Sequence, residues 1–332
     1  MAELITIVVP AHNAAATIDR TLKSVRSQSY RDIEILVVDD GSLDETPSIV
    51  ARHASADKRI RLISQANMGV AAARNRGIAE ARGNLIAPID ADDLWASTKL
   101  EKQIGTMERG GPGVGLVYCW YAIVDAEDFI KGTAKPTKSG KVLSCLCANN
   151  FVGNGSSPLM RKGVALAAGG YSTHLRAVDA QGCEDWLLYL RIAEKHEFRV
   201  VEECLLGYRM VPGSMSRDVR QMLRSLRHVI DEILERNPDQ SQNLVNGDFN
   251  LSAWLFRRAM SSRNLQAAAT IAAIVSTKHP KRFAFSFLPE MVGRSLDALY
   301  RVILQPPKNR FAIGSVEESQ VPASCLHSAN RT

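Results

Sequence analysis

The sequence predicts an α/β chain, with a mostly parallel central sheet flanked by helices and continued at its C-terminus by helices alone. Three observations carry that expectation. Across the first 120 residues short apolar runs alternate with helical stretches, as in a parallel sheet with crossover helices. Beyond residue 217 the apolar positions recur only at the helical period. A chain of 332 residues, 45% of them hydrophobic, can bury one large core, or a catalytic unit of about 200 to 250 residues with a smaller appendage.

The expected strands are 4–9, 33–38, 60–64, 85–89 and 114–121, short runs rich in Val, Ile and Leu. Helices fall between them at 15–28, 47–54, 69–81 and 98–108. Thr46 before Pro47 reads as a capping hydroxyl ahead of a proline at the first helical position, where its missing N–H costs nothing. Within 69–81, Val70, Ala73, Gly77, Ile78 and Ala81 share one face, which packs on the sheet. Residues 122–183 are punctuated by Gly, Ser and Pro, the make-up of loops and short strands that shape a pocket. Asp185 then opens a strongly apolar helix. Met222, Leu226, Val229, Ile230 and Ile233 form an amphipathic stripe ended by Asn237 and Pro238, with further helices at 249–277 and 286–304. The organisation expected is a catalytic unit 1–217, its halves at 1–120 and 121–217, a helical region 218–310, and a polar, disordered tail 311–332.

Six cysteines are scattered, and the CxC at Cys145 and Cys147 has neither a second cluster nor a nearby histidine, so no disulfide framework or zinc site is expected. The apolar run 4–10 follows Glu3 and is too short for a secretory signal. No segment reaches the roughly 18 to 20 uninterrupted apolar residues of a membrane span. The expected location is the cytoplasm. The net charge of +6 is unevenly placed, since residues 251–310 hold ten Lys or Arg against Glu290 and Asp297. With Trp254, Leu255, Phe256, Phe283, Phe285, Phe287 and Leu288 nearby, this region is a candidate for peripheral contact with the anionic inner face of a membrane. A solvated helical bundle or a dimer interface, taken together, accounts for it slightly better. Nucleic acid is not an expected partner, because the aromatics do not interleave with the basic residues.

In an open parallel sheet, ligands bind beyond the carboxyl ends of the strands. Here the first strand runs into Pro10, Ala11, His12 and Asn13, the second into Asp39 and Asp40, and the fourth into Asp90, Ala91, Asp92 and Asp93. Three aspartates in four positions repel one another unless a cation compensates. A hard divalent ion, Mg²⁺ or Mn²⁺, completed by diphosphate oxygens and water, answers that repulsion. The plainer alternative makes Asp92 and Asp93 helix caps or members of a solvated turn.

Residues 8–13 (VVPAHN), 37–46 (VVDDGSLDET), 67–77 (NMGVAAARNRG), 89–95 (IDADDLW) and 184–191 (EDWLLYLR) resemble, in order and spacing, the successive motifs of family 2 glycosyltransferases over residues 4–217. The resemblance implies a Rossmann-like GT-A fold, a nucleotide-sugar donor, a divalent metal and inversion at the anomeric carbon. It gives Pro10, Ala11, His12, Asn13, Asp40, Arg74, Asp90, Ala91 and Asp92 to the nucleotide sugar, with Asp40 receiving the base N–H and Arg74 reaching the pocket floor or the diphosphate. A carboxylate at Asp40 suits uracil, whose imide N–H is a donor. Metal binding falls to Asp92, with Asp93 its competitor. Asp185 corresponds to the general base that takes the acceptor's proton, and its place at a helix start is expected to keep it ionised. Glu184, Trp186, Arg209 and Ser214 are candidate acceptor or phosphate contacts. Many members carry a histidine where this chain has Val211, with Arg209, Ser214 and Ser216 as substitutes. Residues 153–158 (GNGSSP) and 169–171 (GGY) resemble the acceptor-side segment.

The function expected is transfer of a sugar, from UDP in the first instance, to a hydroxyl of a saccharide or lipid-linked saccharide in surface or extracellular polysaccharide synthesis. A sugar nucleotidylyltransferase would need a glycine-rich, basic stretch after the first strand, and 11–18 has neither glycine nor Lys or Arg. A non-catalytic nucleotide-sugar sensor could lose the acids, which are all present. A dinucleotide oxidoreductase would show GxGxxG there.

Overall fold

The computed structural model describes residues 3–210 and 218–287. Val211, Ser214, Ser216, the tail 311–332 and nearly all of the expected helix 286–304 lie outside the described residues.

The chain opens as expected: β1 (Ile5–Ala11), α1 (Ile18–Arg26), β2 (Ile33–Asp40), α2 (Thr46–Ala56), β3 (Ile60–Gln65), α3 (Val70–Glu80) and β4 (Leu85–Pro88). There follow β5 (Leu94–Trp95), α4 (Lys99–Gly110), β6 (Val114–Val124), β7 (Ile130–Ala134), α5 (Leu143–Ala148), β8 (Leu159–Arg161), α6 (Lys162–Ala167), α7 (His174–Ala177), α8 (Glu184–Ala193) and β9 (Glu197–Arg209). The sheet runs β3-β2-β1-β4-β8-β6-β9-β5, with β7 on β6. Strands β1 to β4 are mutually parallel, and Ala11 lies level with Asp39. Their carboxyl ends therefore open on one edge. The short β8 runs antiparallel between β4 and β6.

Alternation along the strands builds a core on each face. Ile5, Ile7, Val9, Ile35 and Val37 pack beneath α1, α2 and α4, whereas Val8, Ile86, Leu116 and Tyr118 face α3, α5 and α8. Helix α3 sits close on the sheet because Gly77 lacks a side chain: a Cβ there would come within 2.3 Å of Val8 Cγ1.

Two details differ from the sequence reading. Thr46 is the first helical residue rather than a cap, and its Oγ1 accepts from the N–H of Ala14, 2.8 Å away. Strand β9, which the sequence reading leaves unassigned, is 13 residues long and pairs parallel with β6 through register shifts. Those bulges break the period-two pattern by which a strand is recognised.

The C-terminal helices are α9 (Val219–Arg236), α10 (Ser241–Ser261) and α11 (Leu265–Lys278). The single helix expected at 249–277 is two, because Arg263 takes a left-handed φ of 57° and Asn264 caps α11 by accepting from Ala267 N at 3.1 Å. These helices share one core with the sheet, where Leu226, Leu255, Phe256 and Val275 join Trp186 and Leu146. That corrects part of the membrane-facing expectation: Leu255 and Phe256 are buried, while Trp254 and Phe285 are exposed.

Candidate active site

At the nucleotide end, Pro10 and Ala11 are buried in β1, while His12 and Asn13 project from its tip. Asn13 adopts a left-handed φ of 48° and locks the β1 loop to the β2 loop: its N–H donates to Ser42 Oγ and its Oδ1 accepts from Leu43 N, at 3.0 and 2.8 Å. His12 Nδ1 lies 2.9 Å from the Asp40 carbonyl, which can only accept, so the proton sits on Nδ1. Its Nε2 then faces the Asn13 and Asn67 amides.

Asp40 is 3% exposed and is already engaged. Its carboxylate accepts from Gln65 Nε2, Met68 N and Gly69 N at 2.8, 2.8 and 2.7 Å, tethering the start of α3. Of the four or so lone-pair sites on a carboxylate, three hold the protein. Asp40 thus anchors the loop, with about one acceptor site left beyond these three bonds.

The acidic loop divides its labour. Asp93 is fully buried: Oδ2 accepts from Ser156 Oγ at 2.5 Å and Oδ1 from Arg209 N at 2.8 Å. Burial, then Asp92 and Asp90, push its carboxyl well above the usual range. Asp93 therefore has no free edge for a metal. Arg209, expected at phosphate, is buried as well: Nε donates to the Asp92 carbonyl at 2.7 Å, Nη1 to the carbonyls of Asp125 and Ala126, and Nη2 pairs with Asp128. It clamps the loop instead. Trp186 is likewise core, donating Nε1 to Leu146 O at 3.0 Å, and Glu184 is buried with Oε2 accepting from Gly182 N. All three side chains are buried and engaged with the protein itself.

Asp92 remains half-buried, and burial followed by repulsion from Asp90 pushes its carboxyl up to about 6. Adjacent oxygen ligands strained by like charge suit a hard divalent cation. Among the described residues no group of three His, Cys, Asp or Glu side chains could hold a metal unaided. Asp92 and Asp90 fit a cation that a diphosphate completes.

Beside this loop, Arg74 is 5% exposed and donates Nη2 to Asp90 Oδ1 at 2.5 Å, with its Cζ 5.0 Å from the centroid of the Tyr171 ring. Gly155 makes the room, for a Cβ there would come within 2.4 Å of Arg74 Nη2. Ser156 accepts from Asp90 N at 2.9 Å, and Asn154 Oδ1 accepts from the N–H groups of Ser156 and Ser157. The segment expected on the acceptor side is the scaffold of the acids.

Asp185, at the start of α8, feels the charges of both Arg74 and Asp90. Its Oδ1 accepts from Trp186 N at 2.7 Å. Burial raises its carboxyl and Arg74 opposes the rise, so the helix start does not hold it low as expected. Asp185 thus lies within electrostatic reach of the Arg74–Asp90 pair, which in turn acts on Asp92. Tyr171, Tyr189, Asn75, Asn154 and Ser156 lie in segments that the sequence reading picks out without giving any of them a role of its own.

The pattern of glycosyl transferase family 2 matches residues 6–164. An uncharacterized glycosyltransferase of Haemophilus influenzae is 41% identical over 149 residues, 45% of this chain and 59% of that protein. The Escherichia coli UDP-Glc:alpha-D-GlcNAc-diphosphoundecaprenol beta-1,3-glucosyltransferase WfgD is 35% identical over 136 residues, 41% of this chain and 52% of its own length. The matched stretch thus spans little more than half of each relative. In fold, S. aureus TarS 1–349 in complex with UDP-GlcNAc is similar with a TM-score of 0.60 at 15% identity, covering 93% of this chain and 96% of that one. The mannosyltransferase PcManGT from Pyrobaculum calidifontis, in complex with GDP-Man and Mn²⁺, gives 0.57 at 20% identity, covering 91% and 83%. The fold is GT-A.

Proposed function

We propose that this chain, whose residues 6–164 match the pattern of glycosyl transferase family 2, is an inverting, metal-dependent glycosyltransferase. It takes a sugar from UDP to a hydroxyl of a saccharide or lipid-linked saccharide, as a step in surface or extracellular polysaccharide synthesis. The observation that carries the reading is the position of Asp185: a half-buried carboxylate from a separate helix, within electrostatic reach of Arg74 and Asp90 and apart from the metal-suited Asp92.

Asp92, with Asp90 beside it, would hold a divalent cation, Mg²⁺ or Mn²⁺, which when bound neutralises charge on the departing diphosphate. The chain's own residues do the rest. Asn13, Asp40 and Asn67 frame the nucleotide mouth. Arg74, kept cationic and dry against Tyr171, sets a fixed positive charge where donor and base meet. Asp185 takes the acceptor's proton, and a carboxyl raised by burial is a stronger base than a solvated one. Displacement from the face opposite the diphosphate inverts the anomeric carbon.

UDP is favoured by the TarS complex with UDP-GlcNAc and by the UDP-glucose specificity in the name of the E. coli relative, whose acceptor is lipid-linked. Among the described residues no helix is long and apolar enough to cross a membrane. The proposed place of work is the cytoplasmic face of the membrane, with the acceptor held in the bilayer.

The test is a metal-supplemented screen of nucleotide sugars for hydrolysis and thermal stabilisation. Asp92→Ala should weaken metal-dependent donor binding, whereas Asp185→Ala should leave it nearly intact and abolish transfer. Equal loss of donor binding in both variants contradicts the assigned roles.

A further inference from the structure

Tyr171 is built into the cleft with more care than packing requires. It follows Gly169 and Gly170, both with left-handed φ, and a Cβ on Gly170 would come within 2.8 Å of Asn75 Oδ1. Asn75 grips the tyrosine backbone from both sides: Nδ2 donates to Tyr171 O at 2.7 Å and Oδ1 accepts from Tyr171 N at 2.9 Å. Arg74, the preceding residue of α3, lies over the ring. One helix thus fixes both the main chain and the ring plane.

The hydroxyl so positioned has no partner among the described residues, although Tyr171 is only 2% exposed. Buried phenols ordinarily find a partner, and neighbouring Tyr189 does, donating to Asn154 O at 3.0 Å. Were Tyr171 merely filling the core, phenylalanine would serve without an orphaned donor. The charged groups around the phenol are Arg74, Asp185 and Asp90. On the proposed function Asp90 serves the donor and Asp185 the acceptor, so the phenol is placed among the groups that would flank the sugar in transit.

We propose that Tyr171 contacts substrate, its Oη donating a hydrogen bond to a ring hydroxyl of the transferred sugar beside the Arg74–Asp90 pair. This rests on the nucleotide-sugar reading above and adds a determinant of sugar recognition to it. Tyr171 binds the sugar and leaves the nucleotide to the strand ends.

The test is Tyr171→Phe, titrated calorimetrically in Mn²⁺ with UDP and with whichever of UDP-glucose and UDP-N-acetylglucosamine the wild type binds. Affinity for UDP should stay within about twofold, while affinity for the nucleotide sugar falls about 3- to 10-fold, the range of one hydrogen bond. Thermal stability should be unchanged or higher, because the orphaned hydroxyl is gone. Unchanged affinity for both ligands, or an equal loss for both, overturns the role of Tyr171 and leaves the transferase reading standing. A wild type that binds no nucleotide or nucleotide sugar removes both.

Discussion

Alanine at Asp93 and alanine at Asp92 should fail in opposite ways. Truncating the fully buried Asp93 leaves the Ser156 hydroxyl and the Arg209 N–H without their acceptor. Each buried donor so orphaned costs about 1–3 kcal/mol, hence about 2–6 kcal/mol for the two. Part of this returns, because burial and the repulsion of Asp92 and Asp90 already disfavour a charge there, so the net cost should lie near 2–4 kcal/mol, roughly the lower half of the range. At about 2–4 °C per kcal/mol, Tm should fall by roughly 4–16 °C. Asp92 gives the loop its carbonyl, which truncation preserves. Its loss should cost under about 1 kcal/mol but remove metal-dependent stabilisation by UDP. Thermal melts of both variants, with and without Mn²⁺ and UDP, read both quantities. An Asp93→Ala chain that melts like the wild type yet has lost the metal-dependent shift, beside an Asp92→Ala chain that keeps it, refutes the division of labour.

Asp185→Asn should lower kcat by about 10²- to 10⁴-fold with UDP affinity intact, and full turnover would remove it as the base. Because burial raises the Asp185 carboxyl against the opposing pull of Arg74, wild-type kcat should decline on acidification at a pH above the roughly 3.9 of an ordinary aspartate; a decline only below that value contradicts the buried geometry. Asp57 shifts the other way: hydrogen bonds from Arg59 outweigh burial and hold its carboxyl well below the usual range. Its contribution to stability is therefore present above the unfolded value of about 3.9 and lost as the pH falls toward the folded one. Asp57→Asn should lower Tm at pH 7 by an amount that shrinks below about pH 4, and a constant difference across that window would count against the ion pair. Gly77→Ala, whose Cβ would come within 2.3 Å of Val8, should lift α3 from the sheet at a cost of about 1–3 kcal/mol and weaken nucleotide-sugar binding by moving Arg74; an unchanged melt refutes the close packing.

The parallel half of the fold was legible because each strand from β1 to β4 is a short apolar run followed by a helix of matching period, so local pattern and tertiary position agree. The acids at the strand ends were legible for the same reason. The roles within the acidic loop were not. Nothing in DADD separates an aspartate that meets solvent from one fixed by Ser156 and Arg209, because those partners lie 63 and 116 residues away. Arg209 and Trp186 were misplaced as ligand contacts because a motif gives proximity to a site, whereas orientation is decided by packing. Strand β9 escaped because its bulges against β6 insert Glu202 and Glu203 between the partners of the adjacent residues Cys119 and Trp120, where a regular ladder has none. Tyr171 escaped because the glycines before it read equally well as an ordinary turn.

These misses share a cause that bears on how the site works. Asp90, Asp92, Asp93 and Asp185, brought near one another, would push a flexible loop apart, so the fold must hold them by groups that carry no negative charge themselves. It does so from residues distant in the chain: Ser156 and Asn154 from the segment before β8, Arg209 from the end of β9, and the Tyr171 ring beneath Arg74. Tyr171, Asp185 and Arg209 all lie beyond residue 164, where the family pattern ends. On the proposed reading, the matched stretch supplies the nucleotide mouth and the acidic loop, while the base, the loop clamp and the sugar-facing phenol come from residues beyond it. Donor class should follow the first part and sugar and acceptor choice the second, so exchanging 165–210 between relatives should change which sugar is transferred and leave the preferred nucleotide alone. A swap that changes the nucleotide and keeps the sugar would show the partition to be drawn in the wrong place.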